Sequence, residues 1–373
     1  MSTFPSTPRL HSEMIEKWTS PDFTIGILTG GPGCGKTSLI KQLFLIEPEK
    51  TCLLASTGNA VDRLVRVIDA DSGLSSQICT LARATSSPNL IEQFKNWSFI
   101  VDESSMVSIE DAFNVLQVLE PKKLLFVGDI NQLPCVNSVS ILTTLCHVPK
   151  IPRVHLIQNL RQLHVDKALC KNLAAMGSPN FNMLTDDSFI LYMDSNPIKC
   201  ALNIYASLGG NAQMIAFTKA ECQRLIEETE DTKAPRLSAP FQKFRIGDRI
   251  QCTRNHYQKK TGKLQVANGT MGIITKRGIE YDNGFNCKYG DTYFTCSRCI
   301  NVHQSQGNEF DVPGIIILSR WKAEEQLKIV YTAISRFKER VYIIYKDKRE
   351  LDAIFKGTFQ HRIDHKIVNF FKE

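Results

Sequence analysis

The chain of 373 residues contains no apolar run long enough to cross a bilayer as a helix. Its first residues, MSTFPSTPRLHSEM, are polar and hold no apolar signal-peptide core. There is no internal repeat and no low-complexity tract, which leaves ordinary globular domains. The 12 cysteines are scattered through apolar segments. Without a secretory signal they read as free thiols, so an intracellular, reducing compartment is expected, nucleus or cytoplasm undecided, and no membrane partner. The formal net charge of +7 is a mild basic excess, compatible with a polyanionic partner. The length suits two domains, each burying its own core.

Against this plain background one stretch stands out: GGPGCGKT, Gly30 to Thr37. It fits G-x-x-x-x-G-K-[ST]. Glycines at 31, 33 and 35 let the backbone curl until successive N–H groups face phosphate oxygens. Pro32, Cys34 and Ser38 complete the cradle, Lys36 reaches the outer phosphates, and the Thr37 hydroxyl ligates Mg²⁺. The apolar run FTIGIL (23–28) reads as a buried strand before it and SLIKQLF (38–44) as a helix after it, so the phosphates meet a helix N-terminus. A cradle of this kind serves kinases, GTPases, motors and transporters alike.

Strands and helices alternate through the first 150 residues or so, pointing to an α/β fold with a parallel, doubly wound sheet. TCLLAS (51–56), WSFIVDE (97–103) and KLLFVGD (123–129) read as strands, and IEDAFNVLQVLE (109–120) as a helix. A polar connection follows around 177–200. Alternation resumes with QMIAFT (213–218), AECQRLIEETE (220–230), GIIILS (314–319), EEQLKIVYTAISR (324–336) and RVYIIY (340–345). Between 241 and 295 the texture is that of short strands and charged turns, a small β-rich insertion in the second domain. The expected division is residues 1–162 and 163–373.

VDESSM (101–106) ends a strand in adjacent carboxylates. Asp102 there suits Mg²⁺ held through water, and Glu103 suits orienting and deprotonating an attacking water. The competing reading is an acidic helix cap. Gln132, in FVGDINQLP (126–134), suits sensing the γ-phosphate, or else caps a turn. Arg161 in IQNLRQ and Arg336 in VYTAISR are the cations that a hydrolysis-driven machine needs at its transition state; a lone arginine at a helix end is otherwise a solvated C-cap.

Taken in order, GGPGCGKT, ASTGNA, VDESSM, VGDINQLP, NLRQ, VHQSQGNEFD and VYTAISR resemble the motifs of superfamily 1 helicases, and most of all the RecD-like branch. The resemblance runs from about residue 12 to about 346, with VHQSQGNEFD and YTAISR its most specific part. It implies two RecA-like P-loop domains clamping ATP and Mg²⁺, and a protein that moves along single-stranded DNA, 5′ to 3′. It assigns phosphate and Mg²⁺ to Lys36 and Thr37, hydrolysis to Asp102 and Glu103, sensing to Gln132, and γ-phosphate contacts to Arg161 and Arg336. Gly307 and Glu309 couple nucleotide to strand. Thr57, Thr80, His303, Ser305 and Gln306 match strand-contacting positions.

Two departures accompany the likeness. These helicases usually carry an adenine-reading glutamine ahead of the cradle, and HSEMIEKW (11–18) has none, which leaves nucleotide preference open. The segment between Thr80 and Val101, where relatives insert a strand-separating pin, is short. A minimal motor is implied, one that works with replication or repair partners, and its compactness suggests a viral or mobile-element source. RNA is the alternative track, as in helicases of positive-strand RNA viruses. A small-molecule kinase would not need the second α/β half, and a degenerate regulatory module would not keep every catalytic residue type. TCSRCINVH offers Cys296, Cys299 and His303, with Cys287 upstream, as zinc ligands; strand residues leading into VHQSQG explain the same letters. RNHYQKKTGK (254–263) is a basic stretch around Tyr257, read either as a nucleic-acid contact or as a solvated hairpin tip.

Overall fold

The computed structural model describes residues 7–68, 75–136, 138–157, 167–230, 233–258 and 264–370. They form two compact units, Met1–Asp166 with Gln360–Glu373, and Lys167–Phe359.

The first unit contains the strands β1 (Ile25–Gly30), β2 (Thr51–Ala55), β3 (Ile78–Thr80), β4 (Ser98–Asp102), β5 (Lys123–Gly128) and β6 (Arg153–Leu156). They lie in the order β3-β2-β4-β5-β1-β6, and every pairing is parallel. Helix α1 (Thr7–Thr19) precedes β1, and α2 (Lys36–Ile46), α3 (Gly58–Ile68), α4 (Leu81–Ser86), α5 (Pro88–Phe94), α6 (Ile109–Leu119) and α7 (Ile141–Leu145) lie in the connections between strands. Parallel strands covered by helices are buried on both faces, so they read as unbroken apolar runs rather than alternating ones. That is the pattern of β2 and β4, in which every residue is buried. Ile27, Leu54, Phe99, Val101, Phe126 and Leu142 share one core. Ser108 caps α6 by accepting from the Asp111 amide (3.0 Å).

The second unit is built on α8 (Ala168–Ala175), β7 (Phe189–Met193), α9 (Pro197–Ser207), β8 (Gln213–Ala216) and α10 (Lys219–Glu228). A β-rich insertion follows: β9 (Arg249–Cys252), β10 (His256–Tyr257), β11 (Leu264–Val266), β12 (Met271–Thr275), β13 (Gly278–Tyr281), β14 (Asn286–Cys287) and β15 (Phe294–Cys296). Then come β16 (Cys299–Asn301), α11 (Val302–Ser305), β17 (Gly314–Ile317), α12 (Gln326–Ser335), β18 (Val341–Tyr345) and α13 (Lys348–Phe355). The parallel sheet has the order β16-β8-β17-β18-β7, and the insertion is an antiparallel sheet, β14-β13-β12-β9-β15, beside the β10-β11 hairpin. The insertion buries its own core of Phe244, Ile250, Ile274 and Tyr281. The two RecA-like α/β layers match the expected fold class. No described helix is long and apolar enough to cross a membrane.

Two expectations need correction. The polar connection at 177–200 contains β7 and the start of α9. β7 is an edge strand whose last residues are exposed, and its apolar run FILYM stands alone between polar segments. The end of the chain belongs to the first unit rather than the second. There α14 (His365–Phe370) buries Val368 in the first core, and the Asp364 amide donates to Thr144 Oγ1 (3.2 Å).

A buried ion pair joins the insertion to the second parallel sheet. Arg298, between β15 and β16, donates to Asp248 Oδ1 (2.6 Å) and to the Ile226 carbonyl at the end of α10 (2.9 Å). Removing one partner strands a buried charge, whereas replacing both with apolar residues does not. Arg298→Ala is therefore expected to destabilise the second unit by about 3–5 kcal/mol, and an Arg298→Met, Asp248→Leu double variant to regain most of it, read by urea unfolding.

Candidate functional site

The cradle lies between β1 and α2. Gly33 (φ 75°) and Gly35 (φ 84°) take the left-handed backbone that residues with a Cβ resist. A Cβ on Gly30 would come within 2.9 Å of the Leu156 carbonyl oxygen, so a side chain there would push β6 away. Gly31, Pro32, Cys34 and the two curled glycines form the loop, with Cys34 buried. Lys36 opens α2 and folds back, its Nζ donating to the carbonyls of Gly30 (2.7 Å) and Gly31 (2.8 Å). Its charge is thereby held over the loop. Thr37 and Ser38 follow in the first turn of the helix, where backbone N–H groups have no intrahelical partner.

Three neighbouring strands, β4, β5 and β1, end on this edge of the sheet. β4 delivers Asp102 and Glu103, both buried. Glu103 sits at φ 52°, a left-handed turn that swings the chain off the strand. Asp102 Oδ1 accepts from the Glu103 amide (2.9 Å). Arg63 of α3 donates through one nitrogen to Asp102 Oδ2 (2.9 Å) and Glu103 Oε1 (3.0 Å). Burial pushes the Asp102 carboxyl pKa up; the Arg63 guanidinium opposes that, and the Glu103 charge adds to it. β5 delivers Asp129 and Gln132, also buried, with the Gln132 amide donating to the Asp129 carbonyl (3.2 Å). A hydroxyl at Thr37 and a carboxylate at Asp102 are the hard oxygen donors that suit Mg²⁺.

The strand-contact candidates divide by environment. Thr57 is half-buried and caps α3, its Oγ1 accepting from the Ala60 amide (3.2 Å). Thr80 is buried and caps α4 by accepting from the Arg83 amide (3.3 Å). In the second unit α11 is closed by a reciprocal cap between Asn301 and Gln304. His303 is half-buried, 5.8 Å from the Trp321 ring, and burial lowers its pKa. Ser305 is fully buried and donates to the Val302 carbonyl (2.7 Å); Gln306 is buried too. The Ser305 hydroxyl and the Gln306 amide, which donates to the His303 carbonyl (3.2 Å), brace the turn. Gly307 takes φ 79°, and Glu309 lies 3.9 Å from Lys338.

Arg336 is not the solvated cap that its position suggests. It is buried, and it donates to the Thr332 carbonyl (3.1 Å), to Ser335 Oγ (2.9 Å) and to the Asn308 carbonyl (3.2 Å). The Phe310 amide returns a bond to the Arg336 carbonyl (2.8 Å). VHQSQGNEFD and VYTAISR are thus one bonded unit. Arg161, and residues 259–263 of the basic stretch, lie outside the described residues. Cys296 and Cys299 sit on strands of different sheets, and among the described residues no group of His, Cys, Asp and Glu is gathered to hold a metal ion.

Comparison with known proteins agrees with this arrangement. A family model described as an AAA domain matches residues 18–138, the span that holds the cradle, the acid pair and Gln132. The RecD subunit of the RecBCD enzyme of Mycolicibacterium smegmatis is 23% identical over 85% of this chain and 68% of its own length. The chain is similar to RecD subunits along most of its length. Mouse DNA helicase B is 22% identical over 91% of this chain, which spans 44% of that protein's length. The Bacteroides Pif1 helicase, solved in complex with ADP-AlF3 and single-stranded DNA, has the same fold: TM-score 0.63, 16% identity, covering 99% of this chain and 97% of that one.

Two site residues escaped the sequence reading. Arg63 is one; a single arginine on a helix carries no local signal. His155 is the other. It lies in β6, the neighbour of β1, and shares a hydrogen bond with Thr29 Oγ1 (2.8 Å) just before the cradle. Burial pushes its pKa down, Asp129 pulls it up and Lys36 pushes it down again. His155 is therefore expected to titrate below the ordinary histidine range in NMR, and lower still in Asp129→Asn. The unfolded chain binds this proton more readily, so His155 takes stability away as pH falls through the ordinary histidine pKa, with no further loss below the folded value.

Proposed function

We propose that this chain hydrolyses ATP with Mg²⁺ to move along single-stranded DNA in the 5′-to-3′ direction. One observation carries the reading: the cradle, the Asp102–Glu103 pair and Gln132 come off adjacent parallel strands at one edge of a RecA-like sheet, while a second RecA-like unit presents VHQSQGNEFD bonded to VYTAISR. A kinase fold has no use for that second unit.

In this reading Lys36 leaves the Gly30 and Gly31 carbonyls to neutralise phosphate charge, and Thr37 with Asp102 would hold Mg²⁺, which would screen the phosphates. Glu103 orients and deprotonates the attacking water, and Gln132 senses its presence. Arg336 stabilises the charge that develops at the transition state, with Arg161 as a second cation. Gly307 and Glu309 link that event to the strand. Thr57, Thr80 and His303 contact the strand, while Ser305 and Gln306 hold the motif's turn. The contacts are mainly to the backbone, so binding weakens with salt and is nearly indifferent to sequence. Replication or repair proteins are the natural partners of such a motor.

ATP turnover measured without nucleic acid, with single-stranded DNA and with single-stranded RNA tests the reading. DNA is expected to stimulate most, with Lys36→Ala at background throughout. Greater stimulation by RNA would move the track to RNA; no stimulation by either would overturn the motor. Arg336→Ala is expected to keep nucleotide binding and lose roughly 10³-fold or more in turnover. Normal turnover in that variant would remove Arg336 from the mechanism.

A further inference from the structure

Both oxygens of Asp102 are already engaged by the protein. Oδ1 accepts from the Glu103 amide, and Oδ2 accepts from Arg63 Nη2. The same nitrogen holds Glu103 Oε1. The two carboxylates that serve Mg²⁺ and the attacking water are thus tied to one guanidinium. Arg63 is only 26% exposed in its side chain, and Asp102 3%, so the pairing is poorly screened by solvent.

Arg63 belongs to α3, the helix that Thr57 caps. The two residues are separated by roughly 9 Å along the helix axis. A second tie runs the same way: Ser56 Oγ donates to the Glu103 carbonyl (3.3 Å). The segment from Ser56 to Arg63 therefore touches the hydrolytic residues at its two ends, with Thr57, the strand-contact candidate, beside the first. A rigid helix transmits displacement along its length, and a strand gripped at its N-terminus bears directly on Arg63.

We propose that Arg63 gates the hydrolytic pair. Without a strand, its guanidinium occupies the Asp102 oxygen that hydrated Mg²⁺ requires and engages the Glu103 oxygen that receives the water proton. A strand bound at Thr57 shifts α3 and withdraws it. Guanidinium and Mg²⁺ are two cations competing for one carboxylate, so each weakens the other; by linkage, whatever draws Arg63 away tightens Mg²⁺–nucleotide binding by the same factor. The proposal rests on the motor reading above, and it adds the means by which the strand switches on turnover. Arg63 acts here as a positioning residue, through Asp102 and Glu103.

The test compares the full chain with Arg63→Gln and Arg63→Lys. The first readout is the Mg²⁺ midpoint for binding a fluorescent, non-hydrolysable ATP analogue without nucleic acid. Arg63→Gln is expected to lower that midpoint roughly tenfold, the scale of one charge-assisted hydrogen bond, with Arg63→Lys in between. The second readout is turnover with and without single-stranded DNA. Arg63→Gln is expected to raise strand-free turnover and shrink the stimulation toward unity. An unchanged midpoint in Arg63→Gln, or equal losses of turnover with and without the strand, would overturn the gate and leave Arg63 a purely structural ion pair. If the unsubstituted chain shows no stimulation by DNA or RNA, the motor reading fails by itself, and the midpoint still decides whether Arg63 guards Asp102.

Discussion

Everything at the candidate nucleotide site depends on the parallel register of β4, β5 and β1. Parallel strands point their carboxyl ends to one edge, and each must leave that edge through a loop before a helix returns it. The cradle, the acid pair and the Gly128-Asp129 turn are those loops. Val101 pairs with Phe126 and Leu28 with Val127, so the three exits are level with one another. Little room is left for adjustment: a Cβ on Gly128 would lie 2.8 Å from Leu142 and 3.1 Å from the Ser105 amide. The chemistry is held by hydrophobic packing beneath it, with Phe99, Val101 and Phe126 anchoring the strand ends.

The electrostatics of the edge follow from this crowding. Two adjacent carboxylates cannot be buried together without a countercharge. Arg63 supplies it from α3, and Lys36 satisfies its own charge on loop carbonyls. Arg63 is hydrogen-bonded to the carboxylates that a bound metal and water would engage, and Lys36 rests on loop carbonyls until a phosphate draws it away. The second unit shows the same economy, because Arg336 is held by the Asn308 carbonyl of the motif that it must act with. Cations parked on protein acceptors keep each half folded and leave the ligand to reorganise them.

Much of this was legible in the letters. A cradle between an apolar run and a helical run has one common structural solution, and a carboxylate pair at a strand end has few. The β-rich insertion announced itself through short runs and charged turns, since an antiparallel sheet with its own small core alternates where the parallel sheets do not. What stayed hidden depends on contacts between distant residues. Arg63 reaches Asp102 across 39 positions, and His155 reaches Thr29 across 126. β7 was missed because its apolar run FILYM stands alone within a polar, proline-containing stretch, and the return of α14 because one valine secures it. Thr57, Thr80 and Ser305, matched to strand-contacting positions by the resemblance, each have a hydroxyl bonded within their own turn; their residue type suits a cap as well as a phosphate.

The central claim is movement, and the most direct measurement follows arrival at the end of a strand. Single-stranded DNAs of increasing length, labelled with a fluorophore at either the 3′ or the 5′ end, would be mixed with bound protein and ATP under single-turnover conditions. The account predicts a lag that lengthens with the strand for the 3′ label and no such lag for the 5′ label. Strand-stimulated ATP turnover with no length-dependent lag at either end would contradict it, and would leave a nucleic-acid-activated ATPase that does not travel.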